Sequence, residues 1–378
     1  MSKYFIVFLC YILILIVLLN SLYDVYNFDL KSEGYAGLHL GTVLFSIFQV
    51  FSGKPLLITH AHQYGLYPHF LEPFLKLTGL SVFKFTILMG ILQVISFLYL
   101  YKFLREITSN IIIASVGFIT LIFYSYLLGE YYQIKCLNFC APYYQYYPIR
   151  FFFPALSIYI TWKYFNNKNH FIYFFSFLIY ALSVLWNFDT GCVVFISWIL
   201  ILIYKELNEN NNIKMALKNI TKHVFYGFFI LVIVSILYVF YIKLRYGLFP
   251  DFTLLLRFQK LYYFYGYSML PMSLIHPWNL VILLYLCGLS CGVKSFFRKD
   301  GKPGIYLIVF LSILGTGLFS YFQARSHPLV LMAVSYPAIL LLTIFTDRIY
   351  CKKIFSTLIP FMLLSFFLFS MFIVISIL

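Results

Sequence analysis

Long uncharged apolar runs recur along this chain, and each is closed by a short polar stretch. Phe5 to Leu19, for example, carries no charge. The pattern predicts membrane spans at about 4–22, 81–101, 111–129, 149–164, 171–186, 190–204, 223–242, 279–293, 304–321, 329–346 and 355–378. Each approaches the roughly 20 residues that a tilted helix needs to cross a hydrocarbon core. Backbone amides in lipid must be satisfied within the segment. The runs are apolar all round and lack the strict alternation of a barrel strand, so they read as helices. The expectation is an all-α polytopic membrane protein with about 11 transmembrane helices, residues 1–378 forming a single transmembrane domain.

Two intervals between runs are long, 23–80 and 243–278. The first holds an amphipathic stretch, Gly37 to Phe51, that is too short and mixed to span and reads as a helix at the membrane interface. Gly53-Lys54-Pro55 ends it, and a second short helix is expected from Pro68 to Leu77. Residues 205–222 read as a polar connector. The first run is long and no small-residue cleavage site follows it before Tyr23, so it reads as a retained span rather than a leader. No internal repeat is visible, which argues against the common inverted-repeat transporters.

Composition excludes a water-soluble globule, at 63% hydrophobic and 10% charged residues. The sign of the charges orients the chain. With the N-terminus inside, 16 of the 27 Lys and Arg fall in short inside loops, whereas seven of the twelve acids fall outside. The formal +15 then divides as +11 inside and +4 outside. Basic residues scattered beside helix ends suit anionic lipid headgroups, not nucleic acid. Stretches such as Tyr143-Tyr144-Gln145-Tyr146-Tyr147 and Tyr262-Tyr263-Phe264-Tyr265 fit an interfacial aromatic belt. The sequon Asn219-Ile220-Thr221 falls inside, where it is unused. Cys136 and Cys140 share an outside loop, as a disulfide or as two free thiols.

Polar residues are costly in such a chain, so the places where they gather are candidate sites. The first outside interval carries Asp24, Asp29 and Glu33, then His39, then His60-Ala61-His62-Gln63-Tyr64. A carboxylate just beyond a membrane exit can act as general base on a hydroxyl or coordinate a divalent cation. Arg150 opens a span, and an arginine there either snorkels or grips phosphate with its planar fork. Asp189, in the turn Trp186-Asn187-Phe188-Asp189-Thr190-Gly191, either shapes an Asx turn or contributes to the site. Gln323-Ala324-Arg325-Ser326-His327-Pro328 is the densest polar run late in the chain and suits an anionic headgroup. His60 and His62 would face the same way on a strand, but no spaced Cys/His set completes a zinc site. No Walker loop, Rossmann glycine set, G-x-S-x-G or CxxC is present.

The order of these features resembles the GT-C membrane glycosyltransferases, in particular the bacterial protein mannosyltransferase and aminoarabinose transferase-like branch. The resemblance is carried by Glu33-Gly34-Tyr35-Ala36, the interfacial helix, Gly53-Lys54-Pro55 and Gln63-Tyr64-Gly65-Leu66-Tyr67-Pro68, over roughly residues 1–100. Leu66 interrupts the last motif. The resemblance implies interfacial helices in the first extracytoplasmic loop and an active site at the outer surface of a bacterial plasma membrane, with the N-terminus cytoplasmic. It implies a sugar donor on a polyprenyl phosphate or diphosphate, and a glycan, lipid or protein acceptor. Glu33 takes the position of the acid, with Asp29 as the nearby alternative and Asp24 the third carboxylate of the cluster. Arg150, Arg325 and His327 are candidates for the donor phosphate, and His39, His60, His62, Gln63, Tyr64 and Asp189 for the rest of the substrate. Members of the group differ in requiring a divalent cation (Mg or Mn), so the metal stays open. The competing expectations are a transporter or flippase of a lipid-linked glycan, an O-antigen ligase or polymerase, and a non-catalytic assembly subunit.

Overall fold

The computed structural model describes residues 3–26, 35–127, 147–272 and 274–351. Among these the chain is helical throughout, with no strand and two isolated bridges, Leu56 with His60 and Ser268 with Arg325. The helices are α1 (Lys3–Tyr26), α2 (Tyr35–Phe51), α3 (Tyr67–Thr78), α4 (Val82–Ile107), α5 (Ile111–Ile122, extended by a π-turn over Phe123–Leu127), α6 (Pro148–Asn167) and α7 (His170–Trp186). They continue as α8 (Phe188–Glu209), α9 (Ile213–Tyr246), α10 (Trp278–Arg298), α11 (Pro303–Ala324), α12 (Pro328–Val334) and α13 (Tyr336–Cys351).

Short polar residues set where these helices begin. The side chains of Ser81, Asn110, Asn169, Asn187 and Asn212 each accept a hydrogen bond from a first-turn amide of the following helix. Such a cap satisfies an otherwise orphaned donor, which matters most where water is scarce. Proline opens α3, α6, α11 and α12, where its missing N–H costs nothing.

Among the described residues five helices are long and apolar enough to cross a membrane: α4, α8, α9, α10 and α11. A sixth span results if α12 and α13, bent by 49° at Ser335, are taken together. The protein is thus an all-helical, membrane-embedded chain, with five or six helices able to span among the described residues. Among the described residues α1, α5 and α7 contribute further apolar stretches of 10–17 residues. The interval 355–378 lies outside the described residues. The single span expected at 329–346 is bent at Ser335, where Pro337 has no amide to continue the ladder back to Ala333.

The connector expected at 205–222 is also corrected. α8 runs on to Glu209 and α9 starts at Ile213, leaving Asn210 to Asn212 as the turn. The asparagines read as a loop signal are the caps of two continuous helices. The second long interval is shorter than expected too, because α9 continues to Tyr246 and stops at Gly247, whose φ of 75° is left-handed. The two short helices of the first interval form as α2 and α3.

α11 lies at the centre, packed against α6, α8, α10, α12 and α13, and most of its residues are buried. α9 lies at the edge against α7 and α8, with 22% buried and Phe225, Phe228, Leu237 and Phe240 facing outward. Every ion pair among the described residues joins two residues that the charge pattern assigns to the same side. Lys76, Arg245 and Glu72 meet on one face, as do Arg150 and Asp189. Lys163 with Glu106, Lys168 with Glu209, Lys205 with Glu206 and Lys302 with Asp300 meet on the other.

Candidate functional site

The segment between α2 and α3 is pinned onto the turn between α7 and α8. Leu66 N–H donates to Leu185 O at 2.9 Å, and Asn187 Nδ2 donates to Tyr64 O at 2.8 Å. Asn187 Oδ1 meanwhile accepts from the Thr190 amide and hydroxyl. Two glycines make this approach possible. Gly65 has φ of +93°, and a Cβ there would collide with the Trp186 carbonyl; a Cβ at Gly191 would strike the Ser183 carbonyl. Trp186 Nε1 donates to Ile149 O at 2.9 Å, which ties the first turn of α6 to the same knot.

That knot places Arg150 against Asp189. Arg150 Nη1 lies 3.0 Å from Asp189 Oδ2, and both side chains are 3% exposed. Gln259 Nε2 donates to Asp189 Oδ1 at 3.0 Å, so both carboxylate oxygens are engaged. The guanidinium also lies over two tyrosine rings, 4.1 Å from the centroid of Tyr321 and 5.2 Å from that of Tyr64. Arg150 Nε and Nη2 are buried and meet no acceptor among the described residues.

Arg325, at the end of α11, stands beside it. Its Cζ lies 4.7 Å from the same Tyr321 ring and 3.7 Å from Tyr262, and its Nη1 donates to Tyr321 Oη at 2.6 Å. The Tyr262 hydroxyl donates to Gln63 Oε1 at 3.1 Å. Two arginines therefore share one aromatic ring, with Asp189 paired to the first of them. Burial holds the Tyr64 phenol protonated well above its ordinary range, against the pull of the Arg150 charge.

His62 lies next to this cluster, its ring against Tyr64 and Tyr67 and its Nδ1 donating to Gly65 O at 3.1 Å. Burial, assisted by the nearby His60 and Arg150 charges, brings its pKa down from 6.5 to about 4, so the ring is neutral at neutral pH. His60 does not share its orientation. No strand forms, and His60 turns to the Thr59 hydroxyl and the Phe45 ring. His327 caps α12 by accepting from the Leu329 amide at 3.3 Å.

Of the residues singled out from the sequence, the structure brings together Arg150, Asp189, Arg325, Gln63, Tyr64 and His62. Asp29, Glu33, Cys136 and Cys140 lie outside the described residues, as do the side chains of Asp24, in the last turn of α1, and His39, in α2. Tyr321 and Gln259 were not anticipated. Tyr321 stands four residues before Arg325 on α11, a spacing that shares a helix face and could have marked it. Nothing local links Gln259 to Asp189, 70 residues away.

Among the described residues no three His, Cys, Asp or Glu gather as ion ligands. Both oxygens of Asp189, the acid of this cluster among the described residues, are already engaged. What the arrangement can do is receive an anion: a fixed guanidinium presents two open donor nitrogens, with a second guanidinium close by. Comparison with family models, curated proteins and solved structures gives no match for this chain.

Proposed function

We infer that this protein is a membrane glycosyltransferase that moves a sugar from a polyprenyl phosphate or diphosphate donor to an acceptor hydroxyl at the extracytoplasmic face of a bacterial plasma membrane. The observation that carries the reading is the Arg150–Arg325 pair on Tyr321, with Arg150 Nε and Nη2 left without acceptors. A lipid-linked donor presents phosphate at the membrane interface, where an enzyme must bring cationic donors to the same depth. The face opposite the more basic loops is the extracytoplasmic one by the charge rule, and the pair lies on that face.

In this mechanism a carboxylate of the first extracytoplasmic loop, Glu33 or Asp29, removes the proton from the acceptor hydroxyl. The oxygen attacks the anomeric carbon, and the carbon–phosphate oxygen bond breaks. The charge that grows on the departing phosphate is met by Arg150 and Arg325 in a low-dielectric setting, where fixed donors are most effective. Asp189 and Gln259 orient Arg150. A flippase reading would call for ionisable residues in mid-membrane; the ion pairs among the described residues gather instead at the two faces.

The test is transfer from a polyprenyl-phosphate sugar by purified protein in detergent, with Glu33→Gln, Asp29→Asn, Arg150→Gln and Arg325→Gln measured singly. Loss in one carboxylate variant and both arginine variants is expected. Full activity in all four overturns the assignment.

A further inference from the structure

A second pocket lies away from the arginine pair, between the short helix α3 and the membrane-facing helices α7 and α9. It encloses about 370 Å³, and its walls include Phe70, Leu178, Leu185 and Leu237. That volume is at the lower end of the range for small-molecule sites, about 300–1,000 Å³. α9 is the peripheral helix, so this pocket is set into the flank of the bundle that meets lipid.

Two of its lining residues are polar and incompletely bonded. His69 is buried, and its Nε2 accepts from the Leu56 amide at 3.2 Å. Burial lowers its pKa to about 4, so the ring is neutral and its one proton sits on Nδ1. Among the described residues that Nδ1–H has no acceptor, and neither has the hydroxyl of Tyr238, whose ring packs edge-on against His69. Two donors without acceptors in an apolar wall call for an occupant that brings oxygen. Plain hydrocarbon does not supply it.

The rim adds charge. Tyr241, a third wall residue, donates to Glu72 Oε2 at 2.8 Å. Glu72 is also held by Arg245 at 2.7 Å and Lys76 at 2.9 Å. Two cations face one acid there, and both cations are partly exposed.

We propose that this pocket binds one anionic diacyl phospholipid of the surrounding bilayer, an acyl chain entering the apolar slot, an ester carbonyl accepting from His69 and Tyr238, and the headgroup phosphate meeting Arg245 and Lys76. The ester oxygens set this occupant apart from an isoprenoid chain, which carries no acceptor below its phosphate. The proposal stands apart from the transferase reading and holds for any activity of the chain.

Native mass spectrometry of the full chain released from detergent tests it, with dioleoyl phosphatidylglycerol, its ether-linked analogue, dioleoyl phosphatidylcholine and undecaprenyl phosphate as separate probes. One retained phosphatidylglycerol is expected. The ether analogue and Tyr238→Phe should each weaken retention by up to about tenfold, the worth of one hydrogen bond. Tyr238→Phe removes only an unpartnered hydroxyl, so its thermal midpoint should hold, and a merely structural role would leave retention unchanged. Lys76→Gln should narrow the preference for phosphatidylglycerol over phosphatidylcholine, and Leu182→Trp should abolish retention. Equal retention of ester and ether lipids, equal retention by wild type and Tyr238→Phe, or preferential retention of undecaprenyl phosphate would each overturn the proposal.

Discussion

The two polar ends of the bundle handle buried charge in opposite ways. At one end Glu206 is 4% exposed and surrounded by donors. Lys205 and His223 reach Oε1 at 2.8 and 3.3 Å, and Asn219 and Asn210 reach Oε2 at 2.8 and 2.9 Å. His223 is held in turn by the Tyr173 hydroxyl. At the other end Arg150 is equally buried, yet among the described residues Nη1 alone of its nitrogens has an acceptor. A saturated buried charge ties helices together. An unsaturated one costs stability unless something else completes it. The first end thus reads as structure and the second as a place kept ready for an anion.

Arg150→Gln offers the strongest way to break this contrast. Transfer should fall by about 10²–10³, the loss typical of removing a fixed donor from a developing anion. Arg150→Lys should recover only part, because an ammonium cannot match the planar fork. Activity per folded molecule is the readout, since Arg150→Gln leaves Asp189 with Gln259 but no cation.

Acid comes next in size. His62 has a folded pKa of about 4 against 6.5 unfolded, so the unfolded chain binds the extra proton between those values. Stability is therefore present above about pH 6.5 and lost as pH falls toward 4, by about 3 kcal/mol for this group. His69 acts in the same direction. Thermal denaturation in detergent across this window should show the decline, and His62→Gln should flatten it. An unchanged slope would mean that the neutral buried ring is not the cause.

The smallest expected effect sharpens the opposite end. Glu206→Gln should lower stability by about 1–3 kcal/mol, because bonds to a charged group are replaced by weaker ones and a donor is placed against donors. Transfer per folded molecule should not change. A loss of transfer without a loss of stability would show that the saturated end is functional after all.

Much of this was legible in the chain. Sidedness was, because each ion pair needs its partners at the same membrane depth and the Lys and Arg pattern records depth. The short helices α2 and α3 were, because Gly53, Pro55 and Pro68 punctuate them. The 210–212 turn was not, since asparagine signals a loop and a helix cap with equal force. At the site, Arg150, Asp189 and Arg325 stood out as expensive polar residues, but their partnership did not. Arg150 and Asp189 are 39 residues apart, and their meeting depends on Gly65 and Gly191 letting two turns touch.

By itself the order of residues determined that this chain is helical, that it belongs in a membrane, and which polar groups lie at each end, because those outcomes follow from local transfer energies summed along short segments. Only the tertiary structure decided which of those groups are satisfied. Whether a buried donor finds an acceptor is a matter of distances between remote segments, and that separates the saturated Glu206 from Arg150, the residue proposed to meet an anion.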